Sequence, residues 1–260
     1  MTKDQKHFVA VHGVCHGAWV YYKVKPRVEA AGHKFTAVDL AASGANEKNL
    51  NDVTSMLEYT KPLLDVLAAI PDGEKVILVG HSGGGMAAAL GMEKFPEKIS
   101  VAVFVCAIMP DTTNTPSFVL EKYSAGTPPD AWKDCQFSAI SDPPITCLSV
   151  GPEFLKAFLY TKCPVEDYTL ATLLAKRPGS LYIEDLMKAD KFTEKGFGSV
   201  PRVYVVCPED DCIPAVFQKF MIENNPVVEV KEIPGADHMP MLSKPDELAK
   251  CFVEIAETYA

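Results

Sequence analysis

No apolar run in these 260 residues approaches the roughly 20 needed to cross a bilayer as a helix, so a membrane-spanning role is excluded at the outset. The start, "MTKDQKHFVAVHG", is polar and then strand-like. It lacks the apolar centre and small-residue cleavage site of a secretory signal, so a cytoplasmic location is expected. An excess of basic charge is also missing. With 34 acidic against 25 basic residues the formal net charge is −9, which repels a nucleic-acid backbone or an anionic membrane surface and removes both as partners. The eight cysteines include no C-x-x-C pair, which argues against a zinc site or a dithiol redox motif; reduced, mostly buried thiols are expected instead. Internal repeats, low-complexity tracts and long charge runs are absent as well.

What the chain does contain is an alternation. The β-branched runs "HFVAVHG", "KFTAVDL", "KVILVG", "SVAVFVCAIM", "PRVYVVC" and "VVEVKEI" read as strands buried on both faces of a parallel sheet. Between them, Trp19 to Ala31, Tyr59 to Ile70, Gly84 to Phe95, Pro214 to Asn224 and Pro245 to Thr258 are long and periodic enough to be crossover helices. Strands alternating with helices predict a doubly wound, mostly parallel α/β sheet. The alternation lapses between Asp111 and Asp190, where proline-punctuated segments carry Phe118, Tyr123, Trp132, Phe137, Phe154, Phe158, Tyr160 and Tyr182. This stretch reads as an inserted, mainly helical cap (111–190) on a core formed by 1–110 and 191–260, a single domain overall. Its aromatic residues either glue the cap to the sheet or line a pocket beneath it.

The most informative stretch is "VILVGHSGGGMAAAL", Val76 to Leu90. A strand feeds directly into Gly80-His81-Ser82-Gly83-Gly84, the G-x-S-x-G pattern of a nucleophile elbow. The serine of such an elbow occupies a strained backbone, so the positions two before and two after it must be small, as Gly80 and Gly84 are. Gly85 then lets the following helix pack close. A phosphate loop would need Lys followed by Ser or Thr, where this chain has Met86-Ala87, and a dinucleotide fingerprint belongs on the first βα turn rather than the third. A serine hydroxyl needs a base, so the elbow calls for a carboxylate and a histidine further along, in that order. "PEDDCIP" offers Glu209, Asp210 and Asp211 after one strand, and "PGADHMPML" offers His238 after the next. Of the other five histidines, His7 and His33 read as surface residues and His81 as packed against the sheet, while His12 and His16 lie where they could border the site. The loop "HGVCHG" after the first strand supplies the second half of an oxyanion hole, making Val14 and Gly83 its backbone donors.

At this point the chain resembles the plant methylesterase and hydroxynitrile lyase family of α/β-hydrolases. The resemblance runs nearly end to end, through "KHFVAVHGVCHGAWVYYKVKP", "AGHKFTAVDLAASG", "KVILVGHS", "EKISVAVFV", "RPGSLYIEDL", "GFGSVPRVYVVC" and "GADHMPMLSKP". It implies a Ser82, Asp210, His238 triad, selecting Asp210 from the three acids. It also implies a substrate pocket formed by Gly13, Tyr123, Trp132, Phe137, Leu181 and Met239. Cyanohydrin lyases of the family carry Thr after the first-loop histidine and Lys after the late one. Here Gly13 and Met239 stand in those places, which favours ester hydrolysis.

The resemblance therefore implies a serine carboxylesterase acting on methyl esters of small plant hormones or specialised metabolites, such as those of salicylate, jasmonate and indole-acetate. "RPGSL" and "EKISVAVF" are similar to a branch that cleaves an alkaloid β-aldehyde ester, whose freed acid can then lose carbon dioxide. Such chemistry needs neither cofactor nor metal, and its partner is a small-molecule ester; a homodimer is a common assembly for related folds, but nothing in the sequence identifies an interface. The rival readings are a lyase or decarboxylating enzyme using the triad as acid and base, and a hormone-sensing binding protein on the same fold. Family members usually carry a bulky residue directly after the nucleophile, so Gly83 is expected to open space beside the acyl group and admit a wider substrate.

Overall fold

In the computed structural model, which describes residues 5–142 and 144–260, the chain alternates as its pattern predicts. The first four residues of the polar start and Pro143 lie outside the described residues. The strands are β1 (His7–Val11), β2 (Lys34–Val38), β3 (Val76–His81) and β4 (Ile99–Val105), then an antiparallel pair, β5 (Gln136–Ile140) and β6 (Ile145–Ser149), and finally β7 (Arg202–Val206) and β8 (Glu229–Glu232). Six of them form one parallel sheet in the order β2-β1-β3-β4-β7-β8.

Alternate residues of each strand feed opposite faces. Phe8, Ala10, Ile77, Val79, Val101 and Val103 pack with the helices Val24–Ala30 and Pro245–Tyr259. Val9, Val11, Leu78, Ala102 and Phe104 pack with the helices Met56–Ala68 and Gly84–Lys94 on the other side. Burial on both faces explains why the strands read as continuous apolar runs. β8 departs from that expectation: as the edge strand it alternates half-buried with exposed residues, and Val230 is 51% exposed. The helix expected from Trp19 is instead a 3-10 turn, Ala18–Tyr21, followed by a helix from Val24. Pro26 accounts for the late start, since a proline is tolerated in a first turn, where its missing N–H has no helical partner.

The chain leaves β1 in one direction to make β2 and returns to the other side of β1 to make β3. Connections leaving in opposite directions open a crevice at the carboxyl ends of β1 and β3, the place where open α/β sheets hold their ligands. Over this crevice runs the segment from 111 to 190. It holds the helices Phe118–Gly126 and Val165–Leu174 and several short turns, but also the β5-β6 hairpin, which the expectation of short helices did not include. The hairpin is extended by a paired bridge between Leu148 and Gly179, with N···O distances of 2.7 and 2.9 Å.

Candidate active site

β3 ends at His81, and the chain turns at once into the helix Gly84–Lys94. The turn forces Ser82 into the left-handed region at φ 53°, a conformation that a serine adopts only under constraint. The small residues around it have a steric cause. A Cβ on Gly84 would lie 2.4 Å from the His12 carbonyl oxygen, and one on Gly85 would lie 2.0 Å from that of Ile108. At Gly80 the neighbours stand at 3.0 Å, so that position too leaves little room for a side chain.

The strained turn lifts the Ser82 hydroxyl to 3.0 Å from His238 Nε2. On its other side His238 donates Nδ1–H to Asp210 Oδ2 at 2.8 Å. Asp210 follows β7 and is itself oriented, because its Oδ1 accepts the backbone N–H groups of Cys212 and Ile213, both at 2.8 Å. All three residues are buried. With Nδ1–H committed to a carboxylate, Nε2 is left as the lone-pair nitrogen facing the serine, as a general base requires. Of the three acids left open by the sequence, Asp210 reaches His238, while Glu209 pairs with Lys162 at 2.8 Å and Asp211 is exposed.

Three further groups hold the His238 loop. His81 donates Nε2–H to the His238 carbonyl at 2.7 Å, and the two imidazoles lie 4.9 Å apart. Burial, followed by the nearby His238, holds the His81 pKa well below the ordinary value, so this ring is neutral. The Cys106 thiol reaches the same carbonyl at 3.5 Å. Asp237, fully buried, accepts from Met239 N–H at 3.0 Å and Ser243 Oγ at 2.7 Å, and also from Lys162 N–H at 2.8 Å in the inserted segment. Nothing in the sequence marked Asp237 beyond its place beside His238. His81, Cys106 and His238 present donor atoms within 4.8 Å of one another, a spacing a metal ion could use. Their hydrogen bonds already commit these groups, leaving only His81 Nδ1 without a partner, and one nitrogen does not make a metal site.

The β1 loop brings Val14 alongside. The N–H groups of Val14 and Gly83 donate to no protein acceptor among the described residues, and a Cβ on Gly83 would lie 3.7 Å from the Val14 nitrogen, so the two donors flank one spot beside Ser82. His16 supports this loop: it donates Nδ1–H to the Val14 carbonyl at 2.9 Å and accepts from Tyr160 OH at 2.8 Å. Burial lowers its pKa to about 4, which keeps the accepting nitrogen available. His12, at the same loop, accepts from Leu40 N–H at 3.1 Å and serves structure rather than the cavity. His33, expected at the surface, is buried; its ring packs edge-on against Phe8, 5.9 Å between centroids.

The cavity over Ser82 is lined by Gly13, Tyr123, Trp132, Leu181 and Met239 among the residues named from sequence. His16, Leu148, Val150, Phe154 and Leu159 join them, and apart from His16 sequence reasoning gave these no role in the site. Phe137 is not among the lining residues. It stands on the hairpin, 53% exposed, and meets Trp132 edge-on at 5.2 Å, so it braces a wall residue from behind. The space expected from Gly83 is also not open. Leu181 Cδ2 lies 2.8 Å from where a Cβ would sit and fills it.

A match to the model described as "Alpha/beta hydrolase family" spans residues 8–250. The chain is 51% identical to methylesterase 1 of Arabidopsis thaliana, covering 99% of this chain and 98% of that one. It is likewise 51% identical to salicylic acid-binding protein 2 of Nicotiana tabacum, over 99% of each. The crystal structure of polyneuridine aldehyde esterase superposes with a TM-score of 0.95 at 49% identity, covering 97% of this chain and 100% of that one. The chain belongs to the alpha/beta hydrolase family, within its plant methylesterase and hydroxynitrile lyase group. It is a carboxylic ester hydrolase.

Proposed function

We propose that Ser82, His238 and Asp210 hydrolyse methyl esters of small plant hormones or specialised metabolites through an acyl-enzyme. The observation that carries this reading is the unbroken hydrogen-bonded line from Ser82 Oγ through His238 to Asp210, set on a serine at φ 53°. Ser82 Oγ attacks the ester carbonyl as His238 Nε2 takes its proton; the proton then passes to the departing methanol, and water repeats the cycle on the acyl-serine. The free N–H groups of Val14 and Gly83 receive the oxyanion, each contributing on the order of 3 kcal/mol in the transition state.

Two further observations support the substrate class. Beyond His16, His81, Ser82 and His238 the cavity wall is almost wholly apolar, and the one phenol there, Tyr123, spends its hydroxyl on the Cys212 carbonyl at 2.9 Å. Such a wall suits a hydrocarbon-rich acyl group rather than a polar one. Relatives whose names specify methyl esters and an aldehyde ester point the same way. Where the acid carries a β-aldehyde, decarboxylation after hydrolysis follows from the acid's own chemistry. The eight free thiols, five of them buried, fit a cytosolic setting.

The test is product analysis by mass spectrometry with a panel of methyl esters, wild type beside Ser82→Ala. Turnover should fall by about a thousandfold or more in the mutant. An acyl-enzyme mass should also appear with slow substrates. Turnover that survives in Ser82→Ala would overturn the reading and favour acid-base chemistry without acylation.

A further inference from the structure

Two chambers meet at the site. The inner one, over Ser82, offers about 60 Å³ of free space, and an outer one beside it offers about 330 Å³. Tyr123, Trp132, Phe154 and Cys212 line both and so form the waist between them. That waist is firmly built. Tyr123 is tied to the Cys212 carbonyl, and Trp132 lies nearly parallel to Phe154, 6.0 Å between centroids with 13° between planes. An acid of more than a few heavy atoms cannot lie wholly in the inner chamber, so its remote part must occupy the outer one.

The outer chamber has a definite chemistry. Tyr123, Trp132, Phe154, Phe158 and Phe217 supply five aromatic rings, and Asp211 supplies a carboxylate at the rim. Asp211 makes no hydrogen bond and joins no ion pair among the described residues, whereas the neighbouring Glu209 is taken by Lys162. Lys122 is the cation on the wall, and its ammonium sits 5.6 Å from the Phe118 ring centroid, folded back along its own helix. Behind the rim lie Asp210, held by His238, and the buried Asp237. Burial, and then the charge of Asp210, push the Asp211 carboxyl above its ordinary range, so negative charge is crowded there without enough compensation. Rings with an adjacent unpaired carboxylate form the pattern that receives an ammonium group, by cation–π attraction and by charge.

We infer that the outer chamber binds a protonated amine, and that the preferred substrate is a methyl ester whose acid carries a bulky cationic amine remote from the ester carbonyl. The inference rests on the reading of Ser82 as the nucleophile of a methylesterase. The protein's net charge of −9 adds a long-range attraction for such a substrate.

The experiment compares two esters of one shape: the methyl ester of a phenylpropanoic acid with a para-trimethylammonium group, and its neutral twin with tert-butyl in that position. At low salt wild type should prefer the cation about tenfold in kcat/KM. Asp211→Asn should cut that ratio about fivefold, and added Phe217→Leu should bring it near unity. A wild-type ratio of one or below, or a ratio that Asp211→Asn leaves intact, overturns the inference. Should neither ester nor methyl butanoate be hydrolysed, the esterase reading fails instead, and binding still decides the chamber. Phenyltrimethylammonium should then quench Trp132 fluorescence, measured against Trp132→Phe to subtract Trp19, and bind at least threefold more weakly to Asp211→Asn; no quenching overturns the inference.

Discussion

At the scale of single residues, Gly83 and Leu181 act as a fitted pair. Gly83 has an ordinary right-handed backbone, φ −57° and ψ −21°, so the turn does not demand glycine there. What demands it is Leu181 Cδ2. Gly83→Ala should therefore fold normally but rotate Leu181, changing relative kcat/KM among acyl groups of different width by several-fold. Leu181→Ala should absorb most of that change, giving a coupling of about 1 kcal/mol in a double-mutant cycle on kcat/KM. Gly85 is a different case. Its absent Cβ would meet main-chain oxygen at 2.0 Å, which no rotamer can relieve, so Gly85→Ala should cost about 3 kcal/mol in urea unfolding. The need for small residues at the elbow was legible in the sequence, because it follows from the turn itself. The filling of the Gly83 space was not, because Leu181 lies 98 positions away and reaches it only through the inserted segment.

Among the elements, the short turn Pro152–Phe154 sets the waist between the two chambers. Asp134 caps it, accepting the N–H groups of Glu153 and Phe154, both at 2.9 Å, and Gly151 leaves room for that carboxylate to approach. Asp134→Ala should cost about 1 kcal/mol in stability, the usual loss for a cap. It should raise KM for bulky esters several-fold and leave kcat within about twofold, as steady-state kinetics on small and large esters would show. Elements of the parallel sheet were readable because each strand is buried on both faces and each crossover helix has a face toward the sheet. The hairpin β5-β6 was not, because its strands are short, largely exposed and flanked by prolines, and their pairing depends on Gly179 adding a further bridge. Phe137 shows the same limit: an aromatic residue in an inserted segment does not announce which side of a hairpin it faces.

For the molecule as a whole, buried histidines set the response to acid. His12, His16 and His81 are buried with lowered pKa values, His16 to about 4, chiefly by desolvation. Unfolded, each takes up a proton below about pH 6.5, so the unfolded chain binds more protons than the native one there. The stability they contribute is fully present above pH 6.5. It is lost as pH falls toward 4, at about 1.4 kcal/mol per pH unit for His16 across that window. Calorimetry should show Tm steady from pH 8 to 7 and falling steadily below 6.5, less steeply in His16→Asn, which cannot charge.

Asp237 reaches across the same molecule in another way. Its carboxylate holds Met239 and Ser243 beside the base and, at the same time, Lys162 on the far wall of the cavity. The consequence is one of timing. Whenever the wall at Lys162 swings aside, the imidazole loses part of its anchorage, and it recovers that anchorage only on closure. Entry and proton transfer thus become successive beats of one cycle, and a gaping cleft stays chemically idle until its guest is enclosed.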